Sequence, residues 1–442
     1  MSSRPMAGDA LQQRASTLLV FTQSYPYAVA LEDTFLAPEL PHLRDAFDDV
    51  IVIPGSLEGS RASVPAHIEV DEEFAQFLKG HSRRSELAAR GNISRLLREE
   101  LTEDPWLVAR PIRLSRLLAA ASRAELTRTW VKGLLGRRRV SPSACVAYTF
   151  WCDAVTAGLG LLKRESPGLV VVSRAHGADL YPDRHDPPYL PCRAFTLRQL
   201  DRLLPDSERG VAFVAEHYPW FASRCEVARM GVADPGFVTP RSPAGRFVVV
   251  SCSRIVPLKR VELIGEAVDH LARARPDTQF EWYHFGEGPL QPRVEKIAQR
   301  LAPNAKAHLP GYSSVEALFS FYRRNRVDVF VNASVSEGTS VAVMEAISCG
   351  IPVVATAVGG NPEIVSSENG ALVGPDPAPA EIAAAMSDLL DRPDDAEARR
   401  EGSRRVWRAK YDARANYAAF AKLLASLRRP AEASQRVPDR GR

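Results

Sequence analysis

The sequence predicts an α/β protein made of two doubly wound domains, each a parallel sheet with helices on both faces. Three observations carry this reading. The chain has 442 residues, too many for one ordinary core, so two domains of about 200 residues each are expected. Short β-branched runs alternate with helical patterns through both halves, the pattern of a parallel sheet covered on both sides. A Gly- and Pro-rich stretch without periodicity, residues 231–246, separates the halves and reads as a linker.

In the first half the strand candidates are 17–21, 49–54, 144–150, 169–175 and 202–207. In the second half they are 246–254, 279–286, 305–311, 327–332, 352–356 and 370–374. Neither half contains GxGxxG, so a dinucleotide-dependent dehydrogenase loses its main support. For two sheets of this kind the default ligand site is an interdomain cleft facing the carboxyl ends of the strands.

Apolar residues make up 45% and charged residues 25% of the chain, as in soluble globular proteins. No apolar run approaches the ~18 residues needed to cross a bilayer. The first strand candidate is too short and too polar on its flanks for a signal sequence, so a cytoplasmic protein is expected. Cys145, Cys152, Cys192, Cys225, Cys252 and Cys349 are scattered without CxxC or metal-ligand spacing, and read as reduced core thiols. No metal site is expected. Residues 1–15 and the tail 428–442 are polar and aperiodic, and disorder is expected there.

The net charge of +4 is modest, but residues 81–140 carry 14 Arg or Lys against 6 acids. Basic and apolar residues alternate there at helical spacing, which suits a helix lying on an anionic membrane surface. A solvated amphipathic helix packed on its own domain has the same pattern. Nucleic acid is not an expected partner, because the basic residues are not interleaved with stacking aromatics.

The most informative stretch runs from Ser336 to Val365. A buried strand ends at Ser336, Glu337 and Gly338, and Thr339 or Ser340 can cap a helix that Gly350 and Pro352 stop. Free N–H groups of a first helical turn, aided by the dipole, favour a phosphate over Gly338, Thr339, Ser340 and Val341. Glu345 lies about five residues further in, roughly 7 Å at ~1.5 Å per residue, which is the reach of a ribose. A carboxylate accepts two hydrogen bonds from a vicinal diol, and Glu337 precedes the helix on the other side of such a diphosphate. An ordinary capped helix with two solvated acids would look the same locally.

Further chemistry sits at other strand ends. Arg254 and Lys259 flank a Pro-containing loop and could neutralise a departing diphosphate, or simply make surface salt bridges. Gly286 and Gly288 follow a strand, where backbone can approach a ligand closely; a plain tight turn would also use them. Arg174, His176, Gly177 and Asp179 follow a strand of the first half. His176 and Asp179 could bind sugar hydroxyls or polarise an acceptor, and a buried, satisfied histidine is the alternative. No GxSxG elbow, P-loop or zinc cluster is present, so hydrolase and kinase chemistry have no support.

With these residues in view, the chain from about residue 17 to 427 resembles the retaining family 4 glycosyltransferases of GT-B fold. The resemblance rests on two glutamates separated by seven residues, the surrounding GIPVVAT and GG, and the upstream Arg254 and Lys259. A narrower similarity, to bacterial cell-surface polysaccharide glycosyltransferases, rests on SYPYAVALEDTF, SRAHGADLY and VWRAKYDARANYAAF.

The resemblance implies two Rossmann-like domains, an acceptor-side domain at 1–235 and a nucleotide-sugar domain at 236–411, with a last helix at 412–427 returning to the first. It implies that Glu345 holds the ribose, Glu337 the donor sugar, amides near Ser340 and Val341 the phosphate, and Arg254 and Lys259 the leaving diphosphate. His176 would lie beside the transferred sugar, with Glu32 on the acceptor side. The implied partners are a nucleoside-diphosphate sugar and a saccharide or lipid-linked acceptor; no cofactor or metal is implied.

Two positions depart from the family pattern. YAVALED stands where relatives have a glycine-rich turn, and Ala342 stands where they often carry a hydroxyl. The rival expectations are a sugar-nucleotide epimerase of the same fold, and a non-catalytic scaffold subunit of a glycan-synthesis complex.

Overall fold

The computed structural model describes residues 16–27, 30–81 and 90–428. The tails expected to be disordered, save Arg428, lie outside these residues, as do part of YAVALED and residues 82–89 of the basic segment. Two compact units are present. The first comprises Met1–Pro205, Val214–Glu226 and Ala418–Arg442, and the second Asp206–Phe213 and Val227–Tyr417.

The first unit holds a six-stranded parallel sheet made of β1 (Thr17–Thr22), β2 (Asp49–Pro54), β3 (Glu69–Val70), β4 (Cys145–Thr149), β5 (Val170–Ala175) and β6 (Arg202–Pro205). Their order is β3-β2-β1-β4-β5-β6. The central strands are apolar along their whole length because helices cover both faces; Leu18, Val20, Val52, Ile53, Ala147 and Val171 are fully enclosed. The two-residue edge strand β3 was not foreseen. A Glu-Val pair carries no periodicity, and only its pairing with β2 at Ile51 and Val52 defines it.

The helix Pro111–Arg138 opens with proline at its first position and ends at Arg139, whose left-handed backbone (φ 55°) closes the last turn. It buries Leu117, Ala121, Ala124, Val131 and Leu134, and it packs on the helix Ala154–Glu165. In its second half Arg128, Lys132, Arg137 and Arg138 are met by acids of the same unit. Arg128 and Lys132 bond Glu165 at 2.8 Å each, and Arg137 bonds Glu73 at 3.0 Å. From Leu117 onward this is the packed amphipathic helix that the sequence left open, not a free basic face.

The second unit repeats the plan with β7 (Arg246–Cys252), β8 (Gln279–Phe285), β9 (Ala305–Gly311), β10 (Val329–Asn332), β11 (Val353–Thr356) and β12 (Gly370–Val373), in the order β12-β11-β10-β7-β8-β9. Its core joins Phe247, Val249, Trp282, Val329 and Val331 of the sheet to Val261, Ile264, Val268 and Leu271 of the helix Val261–Ala274. The final helix, Ala413–Ser426, begins in the second unit and ends in the first. In the first unit its Phe420 lies 3.8 Å beneath the Arg174 guanidinium and 5.1 Å from the Tyr148 ring.

In each sheet the chain reverses its direction of travel once, between β1 and β4 and between β7 and β10. Adjacent crossovers leave to opposite faces at such a point, so a crevice opens at the carboxyl ends of the two strands.

Candidate functional site

In the second unit, the segments leaving β7 and β10 carry most of the residues singled out by sequence. The loop after β7 is tied to the loop after β10 by backbone, with Val335 N donating to Leu258 O at 2.8 Å. Arg260 reinforces the tie. Its Nε donates to Ala333 O at 2.7 Å, and its two terminal nitrogens reach Ser334 O, Pro375 O and Asp376. Sequence reasoning missed Arg260, since RIVPLKR offers three cations and no pattern to say which one is structural.

This tie brings Lys259 and Glu337 together. Glu337 Oε1 accepts from Lys259 Nζ at 2.6 Å, Asn332 Nδ2 at 2.9 Å and Ser334 Oγ at 2.6 Å, so the carboxylate is fixed with its charge compensated. Behind it lies Gly359, in left-handed conformation (φ 54°); a Cβ there would fall 1.9 Å from Glu337 O. Gly360 N bonds Gly338 O at 3.0 Å. The two glycines let the following turn press against the Glu337 backbone. Arg254, by contrast, is exposed and makes no side-chain hydrogen bond or ion pair among the described residues.

The helix Val341–Ser348 starts as the sequence indicated, with Ser340 at the cap position, but the Ser340 hydroxyl does not cap it. The Thr339 hydroxyl is buried without a partner. The first-turn amides are therefore left to an external acceptor, the arrangement that favours an anion.

Glu345 follows on the same helix. It is 5% exposed and its carboxylate accepts no hydrogen bond from the described residues. Burial, with a smaller contribution from the Glu316 charge, pushes its carboxyl up to about 7. A buried carboxyl without donors is costly unless a ligand supplies them. Cys252 lies nearby, and burial pushes its thiol up to about 12, so no thiolate nucleophile is available there.

Gly286 and Gly288 line the exit of β8. A Cβ on Gly286 (φ 139°) would fall 1.9 Å from Ser253 O, and one on Gly288 would fall 2.2 Å from Ile255 O. Their smallness is used first to pair this loop with the Arg254 segment, through Ile255 N to Glu287 O at 2.9 Å and Leu290 N to Ile255 O at 3.2 Å.

The first unit holds a separate cluster at the carboxyl ends of β1, β4 and β5. Glu32 is 2% exposed and its oxygens accept from Gln23 N at 2.7 Å, Ser24 N and Tyr25 N at 2.8 Å each, and Trp151 Nε1 at 2.7 Å. It fixes the loop after β1, doing with a carboxylate what a glycine-rich turn could not.

Trp151 and Phe150 bracket the His176 ring, with centroids 4.6 and 4.7 Å away. Asp179 accepts from His176 N and Cys152 N at 2.6 Å each, and so anchors backbone. His176 is 8% exposed, and neither ring nitrogen has a hydrogen-bond partner. The satisfied core histidine of the alternative reading is therefore not what the structure contains. Trp151 was missed, although its position just past a strand end was a usable signal. Among the described residues no group of His, Cys, Asp or Glu could hold a metal ion, and no helix is long and apolar enough to cross a membrane.

Comparison with known proteins gives a consistent picture. Residues 237–406 match the family model for glycosyl transferases, group 1. One component of the phosphatidylinositol N-acetylglucosaminyltransferase of Arabidopsis thaliana is 29% identical over 143 residues, covering 32% of this chain and 31% of that protein. The putative colanic acid biosynthesis glycosyltransferase WcaL of Escherichia coli is 27% identical over 224 residues, covering 48% of this chain and 54% of WcaL. The matched stretch thus spans between about a third and about half of these relatives.

Among solved structures, Anabaena HepE in complex with UDP superposes with a TM-score of 0.59 at 16% identity, over 93% of this chain and 100% of HepE. The fold of the chain is GT-B, and residues 237–406 of its second unit match the glycosyl transferases group 1 family.

Proposed function

We propose that the protein is a retaining glycosyltransferase of the family 4 type. It moves a sugar from a nucleoside-diphosphate sugar to a saccharide or lipid-linked acceptor in cell-surface polysaccharide or glycolipid synthesis. The observation that carries the reading is Glu345, a buried carboxyl without donors, one turn inside an uncapped helix start and at the switch point beside the Lys259–Glu337 pair. A ribose diol supplies the donors that Glu345 lacks, and the diphosphate accepts from the amides around Ser340 and Val341.

The chemistry is electrostatic. As the glycosidic bond to the diphosphate breaks, negative charge grows on the leaving oxygen, and preorganised cations and amides stabilise it. Lys259 already shares its charge with Glu337, so Arg254 brings the uncompensated charge. Glu337, oriented by donors that include Lys259, Asn332 and Ser334, is the carboxylate that meets the sugar hydroxyls. The leaving diphosphate takes the proton of the attacking hydroxyl, and the acceptor oxygen bonds on the face it leaves, so the anomeric configuration is kept. His176 offers sugar hydroxyls a ring whose nitrogens make no hydrogen bond among the described residues, with Nδ1 3.9 Å from Asp179 Oδ1. No cofactor or metal is required in this scheme.

The reading is supported by the family match and by the UDP held in HepE. An epimerase of the same fold needs an acid and a base around the ring, and Asp179 has both oxygens engaged by backbone amides. The test is product analysis. Incubation with UDP-, GDP- and ADP-sugars should give acceptor-dependent transfer, with NMR reporting the donor's anomeric configuration in the product. Acceptor-independent epimerised donor, or an inverted product, would sink the proposal.

A further inference from the structure

His284 is a buried titratable group that the proposed reaction leaves unused. It stands on β8 opposite Ser251 of β7, and strand alternation puts its ring on the same face as Trp282. All three side chains are enclosed in the second unit. They form a chain. Trp282 Nε1 lies 2.9 Å from Ser251 Oγ, Ser251 Oγ lies 2.9 Å from His284 Nδ1, and His284 Nε2 lies 3.1 Å from the carbonyl oxygen of Ser253.

One placement of protons satisfies the whole chain. The Ser253 carbonyl can only accept, so Nε2 must carry a hydrogen. Burial pushes the imidazole down to about 4, so at neutral pH the ring holds a single proton and Nδ1 is left as an acceptor. The Trp282 indole can only donate, and the Ser251 hydroxyl that accepts from it gives its own proton to Nδ1.

The chain ends beside Arg254. Ser253 N donates to Phe285 O at 3.0 Å, and Ile255 is held on the other side by Glu287 O at 2.9 Å and Leu290 N at 3.2 Å. Those bonds run backbone to backbone, whereas the donor to the Ser253 carbonyl is a side chain. The same carbonyl is the oxygen that a Cβ on Gly286 would strike at 1.9 Å. Arg254 is exposed and has no side-chain partner among the described residues, so the backbone on either side of it sets its aim.

We infer that His284 is a positioning residue for Arg254: its Nε2–H fixes the Ser253 carbonyl, and through it the segment from which the guanidinium reaches the leaving diphosphate. The inference deepens the proposed reaction and rests on it, since Arg254 acts on charge that develops on a diphosphate. A group displaced by about 1 Å from the reacting centre loses on the order of 100-fold in rate. Donor binding, carried by Glu345 and the helix amides, does not depend on this chain.

The experiment compares two substitutions that each keep one half of the ring's bonding. His284→Gln puts an amide nitrogen where Nε2 stands and can still donate to Ser253 O, whereas His284→Asn reaches only the Nδ1 position and leaves that carbonyl without its donor. Single-turnover rate, donor affinity and melting temperature are measured for both, and for His284→Asn in the Arg254→Ala background. His284→Asn should lower the rate at least roughly tenfold with donor affinity unchanged, and His284→Gln should keep most of the rate. Once Arg254 is absent, His284→Asn should lower the rate no further.

A merely structural histidine predicts equal losses in both variants, following the melting temperature and persisting in the Arg254→Ala background, and that result would overturn the inference. Nitrogen NMR of isotope-labelled histidine in the wild-type protein should show the His284 ring protonated at Nε2 and bare at Nδ1; the opposite tautomer would overturn it as well. The spectrum needs neither a variant nor turnover. Absence of transfer by the wild-type protein therefore counts against the proposed reaction, and the wrong tautomer counts against the positioning role.

Discussion

Replacing Glu345 by Gln removes a charge that the second unit holds without a partner, and the size of the effect follows from its environment. In the folded protein the carboxyl is pushed from its ordinary value of 4.5 up to about 7 by burial. A raised acid means that the folded state keeps its proton longer than the unfolded chain, so stability falls as pH rises from about 4.5 to about 7 and stays low above that. The full span is worth roughly 3 kcal/mol at pH 8 and under about 1 kcal/mol at pH 5.

Glu345→Gln, neutral at both pH values, should therefore stabilise the second unit by up to about 3 kcal/mol at pH 8 and by little at pH 5. Urea unfolding of the ligand-free protein at the two pH values, followed by the signal of the second unit, reads the difference. A gain that is equal at both pH values, or a loss at pH 8, would refute the argument that a solitary buried carboxylate is the cause. If Glu345 also receives a ribose diol, the stabilised variant should bind nucleoside diphosphates more weakly, separating stability from affinity in opposite directions.

The remaining predictions concern the groups around it. Arg254→Ala should lower kcat by roughly 100-fold or more with little change in donor affinity, because an exposed, unpaired cation acts on charge that develops only as the bond breaks; single-turnover kinetics with separate donor titration checks this. Gly359→Ala places a Cβ 1.9 Å from Glu337 O at a positive φ, and should both lower the melting temperature and weaken donor binding. Glu32→Ala strands the amides of residues 23–25 and the Trp151 indole, and should cost the first unit on the order of 3 kcal/mol in chemical denaturation. Glu39→Ala removes the carboxylate that balances the buried Arg174 guanidinium and should cost about 3–5 kcal/mol by the same measurement.

Much of this architecture was legible in the sequence because parallel strands enclosed on both faces are written as continuous apolar runs. VDVFVN and DVIVIP can hardly be anything else once turn residues bound them. The edge strand Glu69–Val70 was not legible, since an edge pairing of two residues needs its neighbour to exist. The donor-side motif was readable because helix start, acid spacing and preceding strand all act within about thirty residues.

What the sequence could not supply was the state of each group. Glu337 and Lys259 are 78 positions apart, and only the folded loops show that they neutralise each other while Arg254 stays free. The same holds for His176, whose ring lies between Phe150 and Trp151 and makes no hydrogen bond because the Asp179 oxygens turn to backbone amides. Glu32 holds the loop after β1, a task that no local pattern announces.

The central claim is that the switch point of the second unit receives a nucleoside diphosphate through Glu345 and the uncapped helix start. Isothermal titration of the wild-type protein and Glu345→Ala with UDP, GDP and ADP tests it most directly. Saturable binding of one of them, weakened at least roughly tenfold by the substitution as the loss of two hydrogen bonds to a charged acceptor implies, is the predicted result. Absence of binding by the wild-type protein to all three, or equal affinity in the variant, would contradict it.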